Sequence, residues 1–171
     1  ALGKLSKVSD ESGTTEFTYN NLGLMTVASI QFAGNEPLGD RSYLINYNYD
    51  NTGLLTSILY PQISNQSFES VYEYDALDRM KTLKLKTNGA PETLYSNQYD
   101  TTGRLTQRDY GNGMKEVFGY DAKDRLISHT FSTSTQTLFD YKYQYDPAGN
   151  MIQRDIQDNN VINRRDLYQY D

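Results

Sequence analysis

The sequence of 171 residues has no cysteine, which excludes disulfides and thiolate metal sites. Histidine occurs once, at His129. No run of about 18 apolar residues exists to form a membrane-spanning helix, and residues 1–20 lack the layout of a signal peptide. No basic cluster interrupts a balance of 16 basic and 22 acidic residues, a formal charge of −6. Such a chain has no electrostatic footprint for phosphate backbones, so no nucleic-acid partner is expected. Long stripes of 3.6-residue period are missing as well, and with them any helix signal. What the chain does hold is tyrosine. Only 37% of the residues are hydrophobic, yet 16 are tyrosines. Apolar area carried on rings with a polar tip suits half-exposed sheet surfaces better than a dry core.

The tyrosines are periodic. YNNLGLM (19–25), YDNTGLL (49–55), YDALDRM (74–80), YDTTGRL (99–105), YDAKDRL (120–126) and YDPAGNM (145–151) are versions of one unit. ALGKL at the start resembles its back half, and Tyr170-Asp171 its front half. Successive motif tyrosines are 30, 25, 25, 21, 25 and 25 residues apart. The whole of 1–171 therefore reads as a single repeat array, expected to be part of a longer one.

Each unit reads as a β-hairpin. Asp at the first turn position and Gly at the fourth fit a type I turn closed by a residue in the left-handed region. This assigns structural turn roles to Tyr19 and Gly23; Tyr49, Asp50 and Gly53; Tyr74, Asp75 and Arg79; and Tyr99, Asp100, Gly103 and Arg104. The same roles fall to Tyr120, Asp121 and Arg125 and to Tyr145, Asp146 and Gly149. Asp78 and Asp124 stand where Gly is expected, and Asp is among the few other residues that adopt positive φ at modest cost. The register then places Tyr99 opposite Leu105 and Asp100 opposite Arg104. Two positions past the Gly site, every unit has Leu or Met; two before the tyrosine stand Phe17, Tyr47, Tyr72, Asn97, Phe118, Tyr143 and Tyr168. One face of each hairpin is thus expected to carry an aromatic pair with an aliphatic contact across from it. On the other face, Asp75–Arg79, Asp100–Arg104 and Asp121–Arg125 are expected as solvent-exposed pairs of small value.

A second set of turn signals lies midway: DESGTT (10–15), Gly34-Asn35, Asn88-Gly89, Gly111-Asn112-Gly113 and DNN (158–160), with blurred midpoints at 60–69 and 130–138. Each period becomes two antiparallel strands, about fourteen in all. The fold class is all-β, an antiparallel hairpin-repeat ribbon.

Chemistry-bearing groups are sparse. His129 has no cysteine or G-x-S-x-G partner and is expected to be a solvent-facing strand residue. The turn aspartates stand one per turn, without the clustered oxygen ligands that calcium requires. Gly111-Asn112-Gly113 lacks a strand–loop–helix context for phosphate, and Asn65-Gln66-Ser67 matches a glycosylation acceptor only by pattern. No catalytic residue, metal site or cofactor is assigned. Rows of exposed tyrosine leave one alternative, a surface module that binds carbohydrate or a protein partner.

The pattern Y-D-x-x-G-R-L at 20 to 25 residues resembles the YD repeat of the rearrangement-hotspot (Rhs) family, and YDTTGRLTQRDYGNGMKEVFGYD (99–121) follows its consensus closely. The family includes the B–C cocoons of Tc toxins, bacterial polymorphic and wall-associated toxins, and teneurins. The resemblance implies a long β-sheet spiralling into a secreted or cell-surface shell of bacterial origin. Its partners would be further YD repeats and an enclosed toxin or other cargo polypeptide, and unpaired strand edges would favour edge-to-edge self-association. Asp146-Pro147 continues Ala148-Gly149-Asn150 rather than the family's D-P-x-G-L closing motif, so no protease residue is carried over. A shell wall should pack its tyrosines against neighbouring strands, whereas a binding module should project them.

Overall fold

The computed structural model describes residues 3–33, 42–158 and 161–170. The expected turn at Gly34-Asn35, and Asn159-Asn160 of the DNN turn, lie outside the described residues. The chain forms two compact units, Ala1–Glu92 and Thr93–Asp171. Among the described residues there are strands and turns and no helix.

In the first unit β1 (Lys7–Asp10), β2 (Gly13–Tyr19), β3 (Met25–Phe32), β4 (Ser42–Tyr49), β5 (Leu55–Leu59), β6 (Phe68–Tyr74) and β7 (Met80–Thr87) follow one another in chain order. Every neighbour pair is antiparallel. The second unit repeats the scheme with β8 (Glu92–Tyr99), β9 (Leu105–Tyr110), β10 (Lys115–Tyr120), β11 (Leu126–Ser132), β12 (Thr137–Tyr145), β13 (Met151–Asp158) and β14 (Val161–Leu167). Consecutive strands pair antiparallel, and the tyrosine-motif connections between them are tight turns that reach no other strand.

Alternation along the strands separates two faces. One gathers the motif tyrosines and the residues two and four positions before them. The other is polar, with cross-strand contacts such as Asn48–Ser57, Thr130–Asp140 and Lys84–Glu73. Little is completely buried among the described residues. Ala28 is the one buried apolar residue among the described ones, while Ser57, Thr82, Asn97, Glu116, Asp140 and Asp155 are buried polar groups.

The turns follow the expected type, and a further feature accompanies them. In each hairpin the register slips between the motif tyrosine and the residue before it: Thr18 pairs with Val27 but Tyr19 with Met25, and Gln98 with Gln107 but Tyr99 with Leu105. The extra residues are Thr26, Thr56, Lys81, Thr106, Ile127 and Ile152. Strict alternation would send Met25, two residues before Val27, to the polar face. The bulge brings it back opposite the tyrosine ring.

Midpoint turns also occur within the described residues. Glu11-Ser12 link Asp10 to Gly13, and Gly111-Asn112-Gly113 close with Tyr110 N–H on Met114 O at 2.8 Å. In the blurred stretch 60–69, Ser64 and Asn65 both take positive φ, 49° and 64°, between the paired Ile63 and Gln66. That is the twist-compatible hairpin turn, made without glycine. At 130–138 the Thr133 hydroxyl accepts from the amides of Thr135 and Gln136, while the Thr133 amide bonds Gln136 O at 2.8 Å.

Candidate functional site: the row of tyrosine turns

Each turn is built on one side-chain oxygen. Oδ1 of Asp50 accepts from the amides of Thr52 (2.8 Å) and Leu54 (3.0 Å). Asp75 caps Leu77 and Arg79 in the same way, Asp100 caps Thr102 and Arg104, and Asp121 caps Lys123 and Arg125. Asn20 does so for Leu22 and Leu24, and Asp146 for Asn150. The amide of the first turn residue bonds the carbonyl four positions on, as at Asp100 N to Arg104 O (3.0 Å), and the fourth residue bonds back. The fourth position has φ of 74° at Gly23, 94° at Gly53 and Gly103 and 98° at Gly149, and 59° and 63° at Asp78 and Asp124. The two aspartates thus take the glycine conformation expected of them.

The second carboxylate oxygen holds the arginine. Asp75, Asp100 and Asp121 accept Nε of Arg79, Arg104 and Arg125 on Oδ2 at 2.8, 2.7 and 2.7 Å. These are not the fully exposed pairs expected from the sequence, for the side chains retain only 21–29% exposure. For Arg104 and Arg125 the reason is that each lies over the next repeat. Arg104 stacks 4.9 Å from the Tyr120 ring centroid and Arg125 4.7 Å from that of Tyr145. Arg125 NH1 also donates to Asp146 O at 3.1 Å. A stacked guanidinium adds roughly 0.5–1 kcal/mol that a free surface pair lacks.

Charge states follow these contacts. The side-chain hydrogen bond from Arg79 holds the Asp75 carboxyl below the ordinary range against the opposing effect of burial. At Asp100 burial pushes upward, but hydrogen bonds from Arg104 and Thr102 outweigh it and the carboxyl is strongly acidic. Asp121 is lowered first by the Arg125 amide, and Asp50 by the Thr52 hydroxyl. Burial raises the phenols of Tyr49, Tyr74 and Tyr120, so these rings stay neutral donors at any physiological pH.

The hydroxyl of the motif tyrosine has a fixed destination. Tyr19 donates to Leu5 O (2.7 Å), Tyr49 to Met25 O (2.8 Å) and Tyr74 to Leu55 O (2.8 Å). Tyr120 donates to Leu105 O (2.9 Å), Tyr145 to Leu126 O (2.7 Å) and Tyr170 to Met151 O (3.0 Å). The acceptor in each of these six cases is the Leu or Met that ends the previous repeat's motif. Each ring therefore lies across the preceding hairpin and ties its backbone to the following one. The sequence displays both partners, but nothing in one hairpin's pattern says that they belong to different repeats.

The remaining rung positions diverge. Two residues before the tyrosine, Phe17, Tyr47 and Tyr72 face Ala28, Ile58 and Leu83, whereas Asn97, Phe118 and Tyr143 face Arg108, His129 and Arg154. The Leu or Met expected across from each motif tyrosine is present in both units, but the residue facing the position two before it is aliphatic only in the first. Arg108 Nε donates to Asn97 Oδ1 at 2.9 Å and stacks on Tyr95, and Arg154 is held by Asp166. His129 is not solvent-facing as expected. It is packed among aromatic rings, because the extended rows of β10 and β12 put Phe118 and Tyr141 on either side of it. No cluster of three or more metal-ligating side chains occurs among the described residues.

The geometry can do one thing well: it transmits order from hairpin to hairpin through tyrosine, arginine and backbone. Residues 120–156 match the family model described as RHS Repeat. No curated protein sequence matches the chain. Among solved structures it is similar in fold to the crystal structure of TcdB2-TccC3-Cdc42, with a TM-score of 0.82 and 21% identity over 99% of this chain. The crystal structure of TcdB2-TccC3-TEV is similar at a TM-score of 0.80 and 20% identity over 96%. The chain spans 9% of the length of each. Residues 120–156 thus carry an RHS repeat, and over nearly its whole length the chain is similar in fold to these two solved structures.

Proposed function

We propose that the chain is a non-catalytic wall element of a YD-repeat shell that encloses a toxin or other cargo polypeptide, in a secreted or surface-bound bacterial protein. The observation that carries this reading is the fate of the motif tyrosines. Their hydroxyls are consumed by the backbone of the preceding hairpin, which is what a wall needs and what a ligand-binding row would forgo. The role asks for no reactive group. It asks for a sheet whose repeats add without limit, and the tyrosine tie makes every repeat the template for its neighbour. Enclosure is tested on the natural full-length protein by limited proteolysis. A cargo segment should resist protease while the wall is folded and become cleavable once urea unfolds the repeats. Equal susceptibility in both states would refute enclosure.

A second reading has one observation in its favour. Phe139, Tyr141 and Tyr143 stack along one strand at 6.4 and 6.5 Å, with Phe139 52% exposed, and such a row suits a sugar face. Binding on a glycan array that is abolished by Phe139→Ala would favour this alternative.

A further inference from the structure

His129 sits near the middle of β11 with its ring stacked on Phe118 of β10, centroids 4.4 Å apart and planes 15° from parallel. Phe131 lies at 4.5 Å and Tyr141 of β12 at 6.0 Å. Its Nε2 and the Oε2 of Glu116 are both withdrawn from solvent, and neither makes a hydrogen bond. Nε2 stands 3.9 Å from Glu116 Oε1, and Glu116 is itself only 6% exposed. Arg108 of β9 reaches the same carboxylate, NH1 lying 3.5 Å from Oε2. The charged or titratable groups that face the imidazole are therefore Glu116 from β10, Arg108 from β9 and the Tyr141 phenol from β12. Asp140 bonds Thr130 on the opposite face of the sheet.

We propose that this cluster is an acid-sensitive point in the second unit: neutral His129 completes the aromatic stack, and its protonation loosens β10, β11 and β12. An imidazolium there would lose most of its hydration and meet a guanidinium already drawn to the one compensating carboxylate. Burial, reinforced by Arg108 and opposed by Glu116, holds the His129 pKa below the ordinary histidine value. For a base lowered in this way the unfolded chain takes up the proton first. The stabilisation is complete above about pH 6.5, and it is lost as pH falls through that value toward the folded pKa. His129 is the only histidine, and the turn carboxylates are held acidic, so the interval from pH 7 to 5 reports on this residue. The inference rests on the stack alone and not on enclosure of a cargo.

The test uses the whole chain. An NMR titration of the His129 imidazole should give a pKa below 6.5, and Glu116→Gln should lower it further by removing the attraction. The urea midpoint followed by circular dichroism should shift downward from pH 7 to pH 5, and His129→Phe, which keeps a ring in the stack, should remove that shift. A titration at or above 6.5, or a midpoint slope that survives in His129→Phe, would overturn the proposal. Should His129→Phe fail to fold, the titrations of the natural chain and of Glu116→Gln decide it by themselves.

Discussion

The two units use one backbone scheme with different chemistry on the rungs. In the first unit the residues facing Phe17, Tyr47 and Tyr72 are Ala28, Ile58 and Leu83. In the second the corresponding positions are Arg108, His129 and Arg154. The turns differ in the same sense. Leu24 lies against the Gly53 turn, within 3.4 Å of where a Cβ there would stand, whereas Arg104 and Arg125 reach the next tyrosine with a guanidinium. Arg79 and Asn150 are the exceptions on either side. Constant in both units are the side-chain cap of the turn, the bulge behind it and the tyrosine hydroxyl on the previous hairpin. The comparison teaches that the repeat is specified by backbone satisfaction. What fills the rung is negotiable between aliphatic side chains and hydrogen-bonded or stacked polar ones.

The largest expected effect comes from a close backbone approach in the second unit. Gly111→Ala places a methyl 2.0 Å from Thr93 O, a backbone clash that β8 and the turn after β9 can relieve only by moving apart. A loss of about 3 kcal/mol is expected, confined to the second unit and read by hydrogen exchange of its peptides in the whole chain. Next comes the apolar rung. Leu83→Ala removes a half-buried side chain facing Tyr72 and should cost about 1.5 kcal/mol in the first unit. By contrast, replacing both partners of an ionic rung, as in Arg154→Leu with Asp166→Leu, should be close to neutral, within about 1 kcal/mol of the natural chain in a urea titration. If that double change proves as costly as Leu83→Ala, the rungs are not interchangeable. The smallest expected effect is ionic. Raising salt to 1 M should weaken protection by a few tenths of a kcal/mol around the ionic rungs Arg154–Asp166 and Arg165–Asp155, and by a similar amount at the exposed Lys7–Glu16 and Lys86–Glu69 pairs of the first unit.

Much of the fold was legible because its signals are local. A tyrosine every 25 residues or so, an Asp that caps and a Gly or Asp at positive φ are each contained within one turn, and they give the strands, their order and the hairpin register. The bulges at Thr26, Thr56 and their equivalents were not legible. The turn places the Leu or Met opposite the tyrosine, but nothing in the alternation says that the next residue of that strand is then left unpaired. Nor was the tie from Tyr49 to Met25 or from Tyr145 to Leu126, since it depends on how one hairpin sits on another. His129 misled for the opposite reason. A lone polar residue in a Ser- and Thr-rich strand reads as solvated, and only the lateral neighbours Phe118, Phe131 and Tyr141 make it part of a stack. The turn-60s hairpin, built on Ser64 and Asn65 without glycine, shows how weak a signal a correct turn can give.

The account stands on the claim that the motif tyrosines are inter-hairpin ties. Its most direct test is Tyr120→Phe and Tyr145→Phe, singly and together, in the whole chain with hydrogen exchange read strand by strand. Each change keeps the ring and removes only the hydroxyl, so each should lower protection by about 1 kcal/mol, near fivefold, in the strands it joins. The double variant should come close to the sum of the two. Protection unchanged in both strands would mean that the hydroxyls do not hold the hairpins together, and the wall reading would lose its support.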